Sequence, residues 1–386
     1  MRKYIRRLTE AESPFDPRLT QIDFELTERC NNDCVHCCIN LPENDEQAQR
    51  RELTTGQAKD ILTQASEIGY LQVRLTGGEP LLRSDFEELY LFARKLGMKV
   101  LLFTNGRLVT LRLARLFSDI PPLVPIEITV YGMRRESYEA VTRVPGSFDQ
   151  FRRGIDLLLK NNVEFIVKTA LLPANRHEMD EFEAWAKEIP WMTQRPMVAM
   201  WFDFRHRRDD PAKNRLIASL RPTAEEGLAV YLRHRETYRK WTPELAAKLL
   251  NPPGDRLFTC GIHQGLGSCV DAYGFAQPCL GIRAAELTVD IAGPDRRANL
   301  REALKRFARL GDLRATNADY LRRCAVCFLK GICEQCPAKS WAANGSLDTP
   351  VEYLCSATHA MARWMGWLGE GEHGWEVQDW LGRIKQ

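Results

Sequence analysis

The sequence TERCNNDCVHCC, residues 27–38, places cysteines at Cys30, Cys34 and Cys37 in the pattern C-x3-C-x2-C. It follows residues 20–27, whose alternating apolar and polar side chains predict a β-strand. This spacing lets three thiolates meet on one face of a cubane iron–sulfur cluster, and three ligands leave one iron open to bind a small molecule. A zinc knuckle is the alternative, but zinc needs a fourth ligand, and the neighbouring Cys37 and Cys38 rarely chelate one ion together. The pattern therefore predicts an open iron–sulfur cluster on this loop.

Strand and helix patterns alternate from this loop to about residue 204. Predicted strands cover residues 20–27, 71–75, 99–103, 126–130, 163–171 and 198–204, and predicted helices cover 54–68, 84–97, 108–118, 135–161 and 177–188. Such alternation indicates parallel strands with right-handed crossovers, so we expect an α/β fold with a partial (β/α)6 TIM-like barrel. In such barrels the loops at the carboxyl ends of the strands carry the chemistry. The cysteine loop, GGEP (77–80) and TNG (104–106) all lie at that rim.

A C-x3-C-x2-C loop after the first strand, with GGEP after the second, resembles the radical SAM superfamily over roughly residues 20–205. The resemblance implies that the open iron binds the amino and carboxylate groups of S-adenosylmethionine. One electron from the cluster then cleaves this molecule to methionine and a 5′-deoxyadenosyl radical, which abstracts a substrate hydrogen atom.

The resemblance also implies further cofactor-binding residues, by position. They are His36 near the adenine; Gly77, Gly78, Glu79 and Pro80 around the methionine amino group; and Thr129 with Lys168 or Thr169 near the ribose or carboxylate. A threonine in a strand is also compatible with ordinary packing. A glutamate before proline could be a solvated loop residue, but the strand end beside two glycines favours a role in the site for Glu79.

Eight of the twelve cysteines lie between Cys260 and Cys355. Seven of them follow C-x13-G-x4-C, then C-x2-C-x5-C-x2-C, then a last cysteine, and this order resembles the SPASM domain over roughly residues 256–360. The resemblance implies two auxiliary [4Fe–4S] clusters, the first held by Cys260, Cys279 and Cys336 and the second by Cys324, Cys327, Cys333 and Cys355. Two structural zinc ions are the alternative. The C-x2-C spacing before Cys336 departs from the family pattern, so Cys336 is displaced or leaves an iron open. The extra Cys269 is a fourth ligand or, as we favour, a buried free thiol.

Composition sets the class of protein. The net charge of +3, from 54 basic and 51 acidic residues, does not favour a nucleic-acid partner, and no apolar stretch is long enough to span a membrane. The basic start of the chain is not followed by a hydrophobic signal region, so we expect a cytoplasmic protein, in which many cysteines indicate metal ligation rather than disulfides.

The sequence suggests five segments along the chain. They are an N-terminal extension (1–19), a radical SAM core (20–208), a helical linker (209–255), a SPASM-like domain (256–360) and a helical tail (361–386). The basic run around Arg205, Arg207 and Arg208 is interpreted as a solvated linker, because Asp209 and Asp210 follow it. The tail tryptophans, Trp364, Trp367, Trp375 and Trp380, are expected to pack on the cysteine-rich region.

Auxiliary clusters suit oxidative chemistry, because they can accept the extra electron of a substrate radical. We therefore expect a maturase that forms a crosslink, such as a thioether or carbon–carbon bond, in a ribosomally made peptide. Expected partners are a peptide or protein substrate, an electron donor such as flavodoxin or ferredoxin, and a separate leader-binding protein, since only about 20 residues precede the first strand. The alternatives are a sulfatase-type formylglycine maturase, disfavoured because Leu280 stands where that branch has aspartate; an enzyme of small-molecule or cofactor biosynthesis; and a non-catalytic electron carrier.

Overall fold

The computed structural model describes residues 21–236, 244, 246–247, 254–264, 266–292 and 298–384. The expected N-terminal extension and part of the expected linker lie outside these residues. Within them, no helix combines the length and the apolar character that crossing a membrane requires.

Six parallel strands form the partial barrel that the sequence predicts. They are β1 (Gln21–Thr27), β2 (Gln72–Gly77), β3 (Lys99–Thr104), β4 (Ile126–Val130), β5 (Phe165–Ala170) and β6 (Met197–Ala199). Each pairs in parallel with the next in chain order. The helices of this half are α1 (Glu46–Arg51), α2 (Thr55–Ile68), α3 (Phe86–Lys95), α4 (Leu111–Asp119), α5 (Arg135–Thr142), α6 (Ser147–Lys160), α7 (Met179–Glu188), α8 (Pro211–Leu220) and α9 (Ala224–Leu232). The predicted fold class is confirmed.

The two faces of the barrel sheet differ in polarity. Successive strand residues point to opposite faces. Side chains such as Phe24, Leu75 and Ile128 are fully buried in the core cluster that the helices share. The alternate positions carry charged groups, Asp23, Glu25, Arg74, Glu127 and Lys168. The inner face of the barrel is therefore polar, which suits a cavity that receives a substrate better than a filled core.

The cysteine-rich region continues the same sheet. Its strands are β7 (Cys269–Val270), β8 (Phe275–Gln277) and β9 (Val289–Asp290), and β7 pairs in parallel with β1 while β8 and β9 extend the sheet antiparallel to nine strands. Its helices are α10 (Leu300–Ala308), α11 (Ala318–Arg322), α12 (Pro337–Asn344), α13 (Glu352–Trp364) and α14 (Trp380–Arg383). The cysteine-rich region is thus hydrogen-bonded to the strand that leads into the Cys30 loop.

Short elements complete the fold. The strands Arg29–Cys30 and Leu41–Pro42 pair in parallel beside the cysteine loop. Turns of 3₁₀ helix lie at Pro80–Leu82, Arg176–Glu178, Gly261–Gln264, Ala285–Leu287, Arg309–Asp312 and Phe328–Gly331.

Two predicted elements are wrong in their extent. The single helix predicted over 135–161 is two helices, α5 and α6, because Arg143 and Gly146 have left-handed backbone angles (φ 57° and 78°) and Pro145 lies between them. The left-handed conformation ends a helix, and proline restricts the residue before it. The strand predicted over 198–204 is only Met197–Ala199, and the chain beyond it leaves the sheet.

The segment after β6 is also different from the expectation. The helical linker predicted over 209–255 begins as two short helices, α8 and α9, separated by Pro222, and residues 237–243 lie outside the described part. The basic run is not a solvated linker: Arg205 is buried, and Arg207 forms ion pairs with Glu28 and Asp271. Burial of Arg205 is compatible with its charge because its Nε lies 2.9 Å from Oδ1 of Asp209.

Three of the four tail tryptophans, Trp367, Trp375 and Trp380, pack on the cysteine-rich region. Trp367 is buried beside Cys327 and Phe328, and Trp375 and Trp380 pack against the same cluster. The Trp380 and Phe328 rings are stacked, with centroids 5.7 Å apart. These tryptophans come from different segments, since α13 ends at Trp364 and Trp380 begins α14.

Gly77 and Gly78 allow the backbone of β2 to touch the backbone that leads to Cys30. Gly77 has φ 123°, and a Cβ on Gly78 would lie 2.2 Å from the carbonyl oxygen of Arg29. The amide of Gly78 donates to the carbonyl of Thr27 at 2.7 Å, and the amide of Glu79 donates to that of Arg29 at 2.9 Å. Only glycine fits this contact, so the two glycines fix the start of the cysteine loop.

Replacing Gly78 with alanine should destabilise the protein, because the added methyl group meets a backbone oxygen that cannot move alone. We expect Gly78→Ala to lower the free energy of unfolding by at least about 2 kcal/mol in urea denaturation. Gly56→Ala is the matched control: nothing lies within 4 Å of its added Cβ, and the residue is in α2, so the change should be within about 1 kcal/mol and stabilising. Equal effects of the two substitutions would contradict this account of the contact.

Candidate active site

Two backbone hydrogen bonds anchor the cysteine loop to the end of α5. The amides of Asp33 and Val35 donate to the carbonyls of Thr142 (2.9 Å) and Val141 (3.0 Å) at the end of α5. Within the loop, the amide of Cys37 donates to the carbonyl of Cys34 at 3.2 Å, which makes a tight turn between the second and third cysteines. The turn brings the second and third thiols to the same part of the rim.

The three thiols of this loop influence one another electrostatically. Burial raises the pKa of Cys30 well above its ordinary value, and the charges of Cys34, Glu79 and Cys37 add to this effect. Burial also raises the pKa of Cys34 to about 12, with Cys37 as the next cause. Cys30 and Cys34 therefore need a nearby cation to become thiolates, and iron in a cluster supplies that charge. The donor set therefore fits a thiolate-bound iron–sulfur cluster.

Among the described residues, no three histidine, cysteine, aspartate or glutamate side chains meet closely enough to hold a single metal ion. The assignment of particular cysteines to clusters stays a prediction.

Asn105 links β3 to the cysteine loop. Its Nδ2 donates to Oδ1 of Asn31 at 2.7 Å and lies 3.9 Å from Sγ of Cys30. Arg107, two residues later, donates to the carbonyl of Asn31. The sequence places TNG at the rim but gives Asn105 no role. The signal available was its place directly after a strand, where a polar side chain can reach the neighbouring loop.

Glu79 lies completely inside the protein and organises the rim. Its Oε1 accepts from Oγ1 of Thr104 at 2.8 Å, and its Oε2 accepts from the amide of Asn105 at 2.8 Å. It also accepts from the amide of Leu81 at the start of the 3₁₀ turn that contains Pro80. Burial raises its pKa to about 7 despite these donors. Glu79 thus holds the strand ends of β2 and β3 together, and its predicted contact with a cofactor stays a prediction.

His36 is enclosed by aromatic rings. Its ring centroid lies 5.2 Å from that of Phe202 and 5.9 Å from that of Tyr131. Burial, together with the smaller effect of the Lys213 charge, lowers its pKa to about 4, so the ring is neutral near pH 7. Its Nδ1 is buried with no hydrogen-bond partner in the described structure. A neutral ring with a free nitrogen suits stacking or hydrogen bonding to a heterocycle, and the predicted adenine contact stays a prediction.

Lys168 and Thr129 are neighbours on the inner face, in register on β5 and β4. The Nζ of Lys168 lies 2.8 Å from Oε2 of Glu127 and 3.3 Å from the centre of the Phe103 ring. Thr169 has the opposite orientation, and its hydroxyl donates to the carbonyl of Val130 at 2.7 Å. Of the two alternatives, Lys168 and Thr169, only Lys168 therefore lies on the same face of the sheet as Thr129. The charge of Lys168 is paired there with Glu127.

The C-terminal thiols form two electrostatic groups. Burial, together with smaller contributions from the charges of Cys336 and Cys260, raises the pKa of Cys279 to about 12. Burial also raises the pKa of Cys327 to about 12, with Cys333, Cys355 and Cys324 as additional causes. These groups have the same members as the two ligand sets expected from the sequence. Cys269 differs: it is buried in β7, and after burial the largest influences on its thiol are Glu25 and Arg283.

A buried ion pair joins the barrel to the Cys279 loop, and the sequence analysis did not predict it. The Nη2 of Arg283 lies 2.7 Å from Oε2 of Glu25 on β1, and neither side chain reaches solvent appreciably. The Nη1 of Arg283 donates to the carbonyls of Leu280 at 2.9 Å and Ile282 at 3.1 Å. The available signal was the glutamate inside the first strand, since a buried charge needs a partner from elsewhere in the chain.

Glu79 should give the unfolding free energy a distinct pH dependence. Its folded pKa, about 7, is above its ordinary value of 4.5, so its contribution is present at acidic pH and is lost as pH rises through 7. We expect the stability of the parent protein relative to Glu79→Gln to fall by up to about 3 kcal/mol from about pH 5 to about pH 8. Urea denaturation without oxygen measures this difference. Exposed Glu188→Gln is the control, and parallel curves for parent and Glu79→Gln would contradict the expectation.

Known proteins resemble this chain in sequence and fold. Residues 24–186 match the Radical SAM superfamily. The AdoMet-dependent heme synthase of Methanosarcina barkeri is 27% identical over 352 residues, covering 85% of this chain and 93% of that protein. The mycofactocin maturase MftC of Mycolicibacterium smegmatis is 34% identical over 168 residues, 43% of this chain and 41% of that protein.

Among solved structures, Streptococcus suis SuiB bound to precursor peptide SuiA has a TM-score of 0.60 at 14% identity, covering 88% of this chain and 76% of that chain. At this identity the similarity concerns the fold, and it includes the cysteine-rich region as well as the barrel. Residues 24–186 of the chain therefore form a radical SAM domain, and over most of its length the chain shares its fold with SuiB.

Proposed function

We propose that this protein is a radical SAM enzyme that abstracts hydrogen from a peptide or protein substrate during oxidative maturation. The observation that carries the proposal is the Cys30, Cys34 and Cys37 loop, held at the carboxyl rim of the barrel by Gly78 and Asn105. When bound, a [4Fe–4S] cluster there supplies the electron that cleaves S-adenosylmethionine to a 5′-deoxyadenosyl radical. The carboxyl rim is where a barrel places its reactive groups.

The residues of the chain have separate tasks in this proposal. The three cysteines bind the cluster and leave one iron free for the amino acid part of S-adenosylmethionine. His36, which is neutral and lies beside Phe202, offers an aromatic surface for the adenine. Glu79 keeps the GGEP backbone and Asn105 in fixed positions, so that binding does not require the rim to reorganise.

Two auxiliary clusters are proposed for the C-terminal region. The influence of Cys336 and Cys260 on Cys279, and separately that of Cys324, Cys333 and Cys355 on Cys327, supports these two ligand sets. Such clusters can accept the electron released when a substrate radical forms a new bond, and an electron donor such as flavodoxin or ferredoxin would serve the catalytic cluster. Cys269 is assigned to neither set, because it is buried in a strand and is influenced chiefly by Glu25 and Arg283.

A peptide substrate is supported by the charges of the barrel interior. Arg74 pairs with Asp23, Lys168 pairs with Glu127, and Arg283 pairs with Glu25. These cations of the described inner face are already neutralised, so the interior suits an uncharged polypeptide segment better than a molecule with several carboxylates. SuiB, which shares the fold, binds a precursor peptide.

Tetrapyrrole modification is the second candidate. It is favoured by the similarity to the AdoMet-dependent heme synthase, which extends over 93% of that protein. Incubation of the reduced enzyme with S-adenosylmethionine separates the candidates: a precursor peptide encoded nearby should increase 5′-deoxyadenosine formation, whereas a heme precursor should not. The reverse result would replace the peptide proposal with the tetrapyrrole one. A formylglycine maturase remains the weaker alternative, since Leu280 follows Cys279.

Joint replacement of Cys30, Cys34 and Cys37 with alanine should abolish reductive cleavage of S-adenosylmethionine. It should also reduce bound iron from about twelve to about eight atoms per chain, because one four-iron cluster is lost and two remain. Anaerobic reconstitution, iron analysis and chromatography of 5′-deoxyadenosine measure both quantities. The matched control is Cys269→Ala, which removes a buried thiol and should leave iron content and cleavage unchanged. Cleavage that persists in the triple variant would overturn the proposed function.

A further inference from the structure

The segment that follows β6 donates hydrogen bonds to backbone carbonyl oxygens of the cysteine loop. The Nη1 of Arg205 donates to the carbonyl of Asn40 at 3.1 Å, and the amide of His206 donates to the carbonyl of Cys38 at 3.2 Å. The third donor is Lys213, whose Nζ donates to the carbonyl of Cys34 at 2.7 Å. The loop is therefore held by the segment after β6 as well as by the end of α5.

Lys213 is a buried cation beside the predicted cluster ligands. Its side chain is only 9% exposed, and it lies in the first turn of α8, where its amide donates to the capping carboxylate of Asp210 at 2.8 Å. A lysine in this position loses most of its hydration, a cost that a role for its charge would explain. Helix α8 is itself packed firmly, since Ile217 is fully buried in a cluster against which Val35 of the cysteine loop packs.

The charge of Lys213 is only partly neutralised by its neighbours. The nearest carboxylate is Asp33, with Oδ1 3.6 Å from Nζ, and it is also paired with Arg143. The side chain of Asp33 is 55% exposed, so water screens it more than it screens the buried ammonium group. The ammonium group of Lys213 nevertheless reaches the cysteine loop, because its Nζ lies 2.7 Å from the carbonyl oxygen of Cys34.

We propose that Lys213 is a positioning residue whose fixed positive charge raises the reduction potential of the cluster held by Cys30, Cys34 and Cys37. The inference rests on the proposed function. Reduction adds one negative charge to the cluster, and a nearby buried cation stabilises the reduced form more than the oxidised form. The hydrogen bond to the carbonyl of Cys34 keeps the ammonium group at this distance.

Three substitutions separate the charge from the hydrogen bond. Lys213→Arg keeps both, Lys213→Gln keeps a donor without charge, and Lys213→Met removes both. The exposed Lys187→Met in α7 is the control for loss of a lysine. Reconstituted proteins would be titrated without oxygen and followed by the electron paramagnetic resonance signal that changes when S-adenosylmethionine is added.

We expect the arginine variant and the control to have the parent midpoint potential. The glutamine and methionine variants should shift the one-electron equilibrium toward oxidation at least tenfold, which corresponds to about 59 mV. Loss of the signal in both neutral variants, with retention in the arginine variant, also supports the need for a cation. A glutamine variant with the parent potential overturns the inference and leaves the proposed function intact. A parent protein with no signal that responds to S-adenosylmethionine overturns both.

Discussion

The backbone contact between Gly78 and the Thr27–Arg29 segment is the constraint on which the site depends. A Cβ at Gly78 would lie 2.2 Å from one carbonyl oxygen of this segment and 2.6 Å from another, so the two chains can meet only as bare backbone. The contact begins where the β1–β2 pairing becomes irregular, with Thr27 opposite Gly77. It joins the cysteine loop to the segment directly after β2, which carries Glu79. From Glu79 the connection continues through Thr104 and Asn105 to the Cys30 side of the loop.

A second feature is the way in which buried charge joins the two halves of the chain. Glu25 of the first strand pairs with Arg283, and Arg207 pairs with Glu28 and Asp271. The sheet itself continues across the same boundary through β7. Ion pairs that are buried in this way cost desolvation free energy and confer little net stability, but removing one partner is strongly destabilising. The arrangement therefore fixes the orientation of the Cys279 loop relative to the barrel.

Local patterns in the sequence were sufficient to predict the barrel and its rim. Alternation in residues 20–27 and the two short motifs identify the first strands and the family, because these features depend only on neighbouring residues. The same patterns missed the division of the 135–161 helix at Arg143 and Gly146. Arginine rarely adopts left-handed backbone angles, so the residue type at position 143 does not predict the end of a helix there.

Long-range partners were the harder part. Three contacts join residues more than 150 positions apart: Arg205 with Asn40, Lys213 with Cys34, and Arg283 with Glu25. No local sequence pattern predicts contacts between residues so far apart in the chain. The sequence did supply the charged residues themselves. What it could not supply was the fold that brings them to the cysteine loop rather than to solvent.

The most direct test of the central claim is Mössbauer spectroscopy of protein reconstituted with ⁵⁷Fe, recorded with and without S-adenosylmethionine. An N-terminal cluster with three thiolate ligands has one iron of different coordination, and S-adenosylmethionine should change the parameters of that iron alone. Spectra that do not respond, from a protein whose N-terminal loop holds iron, would show that the chain itself ligates every iron of the N-terminal cluster, and the account of the Cys30, Cys34 and Cys37 site would be wrong.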